Sequence, residues 1–118
     1  MPPPETAKLL WDMLDAAKSI EAFTAGKTFD DYVHDKMLRS AVERQFEVIG
    51  EAMTRLVKRD APVAQQITDY RKISGFRNAL IHGYDTIDHV ISWDIVQTKL
   101  PLLRHELNAL LPPGAPRP

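Results

Sequence analysis

The sequence predicts an all-α protein, an up-and-down bundle of four to five helices. Apolar residues recur at the i, i+3 and i+4 spacing of an amphipathic helix along nearly all of the 118 residues. No stretch alternates between apolar and polar residues as a half-buried strand does. Gly26, Pro62 and Gly83 interrupt the helical pattern and divide it into separate helices.

The first helix is predicted from the apolar series that starts at Leu9, and Gly26 is expected to end it. A second helix of about thirty residues, capped by Asp30 or Asp31 and ending near Asp60, would form the spine of the bundle. Its inner face would use apolar residues spaced three or four positions apart: Val33, Met37, Leu38, Ala41, Val42, Phe46, Ile49, Met53, Leu56 and Val57.

The third helix should begin at Thr68 or Asp69 and end at Gly83, the residue type that most often terminates a helix. The last helical region covers residues 88–111. Pro101 lacks an N–H group, so it either kinks this region or lies in the first turn of a separate fifth helix; the sequence leaves both open. The apolar residues of this region that should face the core include Val90, Ile91, Ile95, Leu100, Leu103 and Leu107.

The composition limits the classes of protein that this chain can represent. A single domain is expected over residues 1–118, with a core from about 5 to 110 and a proline-rich tail at 112–118. The absence of cysteine excludes disulfides, thiolate nucleophiles and cysteine-ligated zinc. No apolar run approaches the roughly 20 residues that cross a bilayer, and no signal peptide is recognisable, so no membrane association and a cytoplasmic location are expected.

Charge is distributed unevenly although the net charge is only −1. Residues 1–35 carry three basic and seven acidic side chains, residues 36–84 carry nine and five, and residues 85–118 carry three and four. The near-neutral total argues against indiscriminate binding to nucleic acid. The positive middle block is compatible with a small, focused RNA site, to which Arg71 and Lys72 could contribute phosphate contacts.

The stretch at 75–84, Gly-Phe-Arg-Asn-Ala-Leu-Ile-His-Gly-Tyr, concentrates polar chemistry at the end of an apolar helix. The Arg77 guanidinium suits phosphate oxygens, and the His82 imidazole can transfer protons near neutral pH. This pairing suits phosphodiester cleavage. A purely structural interpretation also stands, in which Arg77 pairs with an acid of the second helix and His82 closes a helix C-terminus.

Helix geometry adds a constraint to the catalytic interpretation. Residues five apart, such as Arg77 and His82, are separated by about 140° around a helix and about 7.5 Å along it. Metal-free cleavage by the neighbouring 2′-hydroxyl needs a base, an acid and a cation at the phosphate. One segment supplies one His and one Arg, so either the chain leaves helical geometry at His82 or a two-fold dimer completes the site.

The motif Arg77-Asn-Ala-Leu-Ile-His82-Gly-Tyr84 resembles the Arg-x4-His-x-Tyr signature of HepT-like toxins, members of the HEPN superfamily of helical ribonucleases. The similarity extends to the flanking segments. Residues 39–52 resemble the second helix of that family, residues 84–88 its following loop, and residues 93–103 its last helix.

The resemblance implies a homodimeric, metal-independent endoribonuclease without a cofactor, the toxin of a type VII-like toxin–antitoxin pair with tRNA as its expected substrate. Arg77 would stabilise phosphate charge, His82 would transfer protons, and Asn78 would position the substrate. The expected antitoxin is a minimal nucleotidyltransferase that silences the toxin by transferring AMP to Tyr84. An alternative is a non-catalytic helical protein that binds a nucleotide or docks the nucleotidyltransferase.

Three further groups of charged or titratable residues have open roles. The histidines outside the motif, at positions 34, 89 and 105, lack the spacing of a zinc site, so no metal is expected. The acids Glu43, Glu47 and Glu51 form a stripe that either pairs with nearby arginines or orients Arg77 or His82. The basic cluster at residues 55–59 either caps its helix or extends an RNA-binding surface.

Overall fold

The computed structural model describes residues 2–75 and 88–112, and all regular structure in these ranges is helical, which confirms the predicted all-α class. The elements, in chain order, are α1 (Pro4–Thr24), α2 (Phe29–His34), α3 (Lys36–Arg59), α4 (Ala61–Ala64), α5 (from residue 70 to the end of the first described range), α6 (His89–Asp94), a π-helical turn (Ile95–Lys99) and α7 (Leu100–Leu110).

The core lies between the two longest helices, α1 and α3, and α7 packs against α1 beside them. As predicted, α1 stops just before Gly26, whose positive φ of 72° favours glycine. Arg104 on α7 forms an ion pair with Glu21 on α1 at 3.1 Å. The fully buried apolar side chains include Leu10, Met13 and Ile20 of α1, Val42, Met53 and Leu56 of α3, and Leu107 of α7.

The cap predicted at Asp30 or Asp31 is wrong, because Thr28 begins α2. The Thr28 hydroxyl accepts from the Asp31 N–H at 3.1 Å, and the Asp31 carboxylate accepts from the Thr28 N–H at 2.9 Å. This reciprocal pair is a capping box that satisfies two N–H groups at the start of the helix. Hydrogen bonding to the Thr28 N–H, and then to the Thr28 side chain, holds the pKa of the Asp31 carboxyl below its usual value.

The single long second helix is also wrong, because the chain leaves helical geometry at Asp35. Asp35 has φ −116° and ψ 96°, and its carboxylate accepts from the Leu38 N–H at 3.0 Å, which starts α3. The Arg39 guanidinium donates to the carbonyl groups of Tyr32 and Val33 at the end of α2. Side-chain hydrogen bonds therefore stabilise both ends of the break.

For Pro101 the structure shows part of each alternative: Pro101 lies in the first turn of α7, but the backbone stays helical from α6 through the preceding turn into α7. The preceding turn is π-helical, and the Leu100 N–H donates to the Ile95 carbonyl, five residues back. A π turn shifts the hydrogen-bond pattern by one residue, and proline is tolerated at a helix start, where its missing N–H costs little.

Three apolar residues that the periodicity places inward are exposed instead. Met37 is 82% exposed at the start of α3, while Val90 and Ile91 of α6 are 62% and 56% exposed. The buried residue of α6 is the polar Ser92. Two apolar side chains of this helix therefore face outward, while a hydroxyl faces inward.

The start of the third predicted helix is nearly correct. Residues 70–75 are helical, and the Ile73 N–H donates to the Asp69 carbonyl at 3.0 Å. Asp69 itself has a positive φ of 59°, a conformation that aspartate tolerates better than most residues. The predicted end at Gly83 lies outside the described residues.

Candidate functional site

The structure describes both ends of the segment that carries the sequence motif. Arg77, Asn78, His82 and Tyr84 themselves lie outside the described residues, which stop at Gly75 and resume at residue 88. Their predicted roles remain predictions.

The first end is fixed to α3 by a pair of hydroxyl groups. The Thr54 and Ser74 oxygens are 2.6 Å apart, and the Thr54 hydroxyl also lies 2.9 Å from the Gly50 carbonyl. Since the single Thr54 proton goes to that carbonyl, Ser74 must donate to Thr54. This bond holds α5 against α3 three residues before Arg77.

The second end enters α6 beside a buried aromatic cluster. The Asp88 carboxylate caps α6 by accepting from the Val90 N–H at 2.8 Å. The adjacent His89 ring meets the fully buried Tyr32 ring edge-on, with centroids 6.2 Å apart, and Trp93 lies 5.3 Å from Tyr32. Burial raises the pKa of Tyr32 to about 12, so its phenol is neutral at physiological pH.

Glu43 of α3 completes this cluster as its acidic member. Burial raises the pKa of Glu43 above its usual value, against the opposing charges of His89 and Arg39. Within the described ranges, the His89 Nδ1 atom is buried without a hydrogen-bond partner. Glu43 and His89 are therefore two titratable groups near the end of the motif segment.

Both ends of the motif segment lie near residues of α3. Thr54 and Glu43 are eleven residues apart in the sequence, a separation of about 16 Å along a helix. The segment at 76–87 therefore leaves the described structure beside Thr54 and rejoins it near Glu43. Sequence reasoning identified Glu43 only as part of a stripe and missed Tyr32, because its aromatic partners are remote in the sequence.

Arg71 and Lys72, the predicted RNA contacts, are both exposed on α5. The Arg71 guanidinium lies 5.5 Å from the Tyr70 ring centroid, a cation–π arrangement that orients it. Lys72 instead lines a cavity of about 230 Å³ between α3, α5 and α7. The two cations therefore occupy different surroundings.

Comparison with known proteins decides the family. The sequence model of a family described as "Ribonuclease HepT-like" matches residues 13–110, which is most of the chain. The chain belongs to the HepT-like ribonuclease family.

Several curated relatives are similar to this HepT-like chain over most of its length. "Putative RNase MJ0127" of Methanocaldococcus jannaschii is 38% identical over 86% of this chain and 83% of its own. "Putative RNase MJ1380" of the same organism is 33% identical over 84% of this chain and 90% of its own. "Probable ribonuclease HepT" of Thermococcus cleftensis is 32% identical over 86% of this chain and 91% of its own. No solved structure gives a significant match.

The acidic stripe of this HepT-like protein is mostly neutralised within α3. Arg44 pairs with Glu47 at 3.1 Å, and Arg55 pairs with Glu51 at 2.8 Å. These contacts confirm the simpler interpretation for two of the three acids. Glu43, with its raised pKa, is the exception.

The basic cluster at the end of α3 is also largely engaged in the HepT-like structure. Arg59 forms an ion pair with Glu5 of α1, and Arg55 is held by Glu51. Both arginines therefore pair with acids of the same chain, although their side chains are exposed. This pairing favours the structural role over an extended RNA-binding surface.

The described residues form neither a metal-binding cluster nor a membrane-spanning helix. No group of three or more His, Asp or Glu side chains among residues 2–75 and 88–112 could hold a metal ion. In the same part of the chain, no helix is both long and apolar enough to span a bilayer.

Proposed function

We propose that this HepT-like protein is the toxin of a type VII-like toxin–antitoxin pair, an endoribonuclease that cleaves RNA, with tRNA as its substrate, without a metal ion. The observation that carries the proposal is the family match over residues 13–110 together with the Arg77, His82 and Tyr84 motif inside it. Relatives named as RNases or as a ribonuclease HepT support the same activity.

The proposed reaction is attack by a ribose 2′-oxygen on the adjacent phosphorus. His82 of one copy takes the 2′-hydroxyl proton as the P–O2′ bond forms. The P–O5′ bond breaks, and the departing oxygen takes a proton from His82 of the second copy. Arg77 stabilises the extra negative charge on the phosphorus oxygens, and Asn78 positions the substrate. The products are a 2′,3′-cyclic phosphate and a free 5′-hydroxyl.

A homodimer is part of this proposal because one motif supplies a single His and a single Arg. The exposed apolar side chains of Met37, Val90 and Ile91 support it, since a second copy could bury them. The Asp88 cap also fixes α6 immediately after the motif segment, so a contact on α6 would bring two motifs near one another.

Cleavage of RNA in EDTA tests the proposed activity. The purified chain, expressed without a nucleotidyltransferase, is expected to cleave tRNA in excess EDTA and to leave a 2′,3′-cyclic phosphate end, because no step needs a metal ion. Gel electrophoresis measures the cleavage of tRNA, and mass spectrometry of the products identifies the cyclic phosphate end. Intact tRNA in EDTA together with cleavage in Mg²⁺ would contradict metal independence, and binding of nucleotide without any cleavage would favour the non-catalytic alternative.

Regulation at Tyr84 is tested by intact mass. Co-expression with a minimal nucleotidyltransferase antitoxin is expected to add one or more AMP units, about 329 Da each from the AMP composition, as the Tyr84 oxygen displaces pyrophosphate from ATP. An added phosphodiester beside Arg77 would exclude RNA by its bulk and its charge. The modified chain should therefore lose cleavage activity.

Tyr84→Phe is the decisive variant for this assignment, and Tyr70→Phe, a tyrosine of α5 outside the motif, is its matched control. The Tyr84 variant should keep its unmodified mass during co-expression, while the Tyr70 variant should gain AMP as the parent chain does. AMP on the Tyr84 variant would place the acceptor elsewhere.

A further inference from the structure

The cavity beside α5 combines an apolar interior with two lysine side chains. Its volume is about 230 Å³, and side chains from α3, α5, the π turn and α7 line it. The apolar lining includes Phe46, Ile49, Ile73, Ile95, Leu102 and Leu103. Drug-sized ligands occupy pockets of roughly 300 Å³ or more, so this volume suits a smaller group.

Two lysines line the same cavity from different elements. Lys72 belongs to α5 and Lys99 to the π turn, and both side chains are exposed. Across the described part of the chain, neither lysine forms an ion pair. Their ammonium groups can therefore neutralise an anion held at the cavity.

Hydrogen-bond acceptors complete the lining. The Glu106 carboxylate accepts from the Thr68 N–H at 3.0 Å and from the Thr68 hydroxyl at 2.9 Å, which fixes its orientation. A carboxylate has about four acceptor positions, so Glu106 keeps capacity for further donors. Asp69 supplies a second carboxylate. The cavity thus offers an apolar slot, two cations and two acceptors.

These features match one chemical class, a nucleotide. A base is planar and largely apolar on its faces, its exocyclic amino group donates hydrogen bonds, and its phosphate is anionic. The cavity is also close to the motif, because Lys72 precedes Arg77 by five residues, a chain length that spans at most about 18 Å.

We propose that this cavity binds one unstacked base of the RNA substrate, with the adjoining phosphate between Lys72 and Lys99 and the base amino group facing Glu106 and Asp69. This subsite rests on the proposed ribonuclease function and gives that function a substrate preference. Adenine, cytosine and guanine carry an exocyclic amino group and uracil does not. The subsite therefore favours the first three bases over uracil.

Methyl-detected NMR of the full chain tests the subsite without requiring cleavage. Titration with AMP, CMP or GMP should shift the methyl signals of Ile73, Ile95 and Leu103, while UMP should bind more weakly. Leu102 is 43% exposed, so Leu102→Trp should fill the slot without disturbing the core and weaken binding of single-stranded RNA about tenfold. Phe23→Trp, at a 39% exposed position outside the cavity, is the matched control and should bind as the parent chain does.

Lys99→Ala provides a second variant that leaves the apolar lining intact. It should weaken RNA binding and reduce the slope of log affinity against log salt by about one, as expected for one lost phosphate contact. Lys27→Ala removes the same charge from the exposed turn between α1 and α2 and should preserve both quantities.

The possible results test the nucleotide subsite and the ribonuclease function independently. RNA cleavage without nucleotide shifts at the cavity would overturn the subsite and leave the ribonuclease function standing. Nucleotide shifts that Leu102→Trp abolishes, in a chain that cleaves no RNA, would support the subsite as a nucleotide site and overturn the ribonuclease function. Cavity signals that move only on dilution of the protein would identify a contact between copies and overturn the subsite.

Discussion

A His82→Ala variant should cleave tRNA about 10²- to 10⁴-fold more slowly than the parent chain, because general acid–base catalysis contributes rate factors of this order. In the proposed dimer His82 supplies both the base and the acid, so the decrease in cleavage rate should lie toward the upper end of this range. Initial rates in EDTA measure it. A parent chain whose rate passes through a maximum with pH, and a variant without that maximum, would assign proton transfer to His82.

His34→Ala is the matched control for this substitution. His34 is exposed at the end of α2, and its ring nitrogen contacts the Asp30 carbonyl four residues earlier at 2.9 Å. Its loss should leave the cleavage rate within about twofold of the parent, since exposed substitutions usually have small effects. Full activity of the His82 variant would show that another residue transfers the proton.

Tyr32→Ala should lower the free energy of unfolding by about 3–5 kcal/mol, the range for removing a buried aromatic ring. The Tyr32 ring is fully buried and packs against Trp93 and His89, so the truncation leaves a cavity where α2 meets α6. Chemical denaturation followed by circular dichroism measures the change. A loss below about 1 kcal/mol would contradict this anchoring role.

Tyr32→Phe keeps the ring and isolates the hydroxyl, so most of the stability should return. Comparison of the parent chain with Tyr32→Phe also tests the raised pKa of Tyr32. The folded phenol has a pKa of about 12 against 10.0 for an ordinary tyrosine, so its stabilising contribution is complete below pH 10 and is lost as the pH rises to 12. The parent chain should lose more stability than Tyr32→Phe over this window; equal losses would show that Tyr32 titrates as an exposed phenol does.

Local patterns predicted much of the fold. Helical spacing identified α1, the body of α3, and the region of α6 and α7, because an amphipathic helix repeats its apolar face every three or four residues. The same spacing could not locate the break at Asp35, since apolar periodicity continues across a one-residue interruption. The capping box at Thr28 and Asp31 is a local signal for the start of α2, and Asp35 is a local signal for the start of α3.

Local patterns could not predict which apolar side chains are exposed or which remote residues come into contact. Met37, Val90 and Ile91 fit the helical repeat yet face outward, because burial depends on which neighbour covers a face. The pKa values of Tyr32 and Glu43 are raised first of all by burial, which depends on how the helices pack.

The sequence by itself determined the all-α class, the candidate catalytic motif at residues 77–84 and the resemblance that the family match confirms. All of these are encoded in neighbouring residues, through side-chain periodicity and motif spacing. Only the tertiary structure decided that Ser74 bonds to Thr54, that Tyr32 packs against His89, and that Lys72 and Lys99 share one cavity. Those pairs meet because packing of the helices brings together side chains that no local pattern relates.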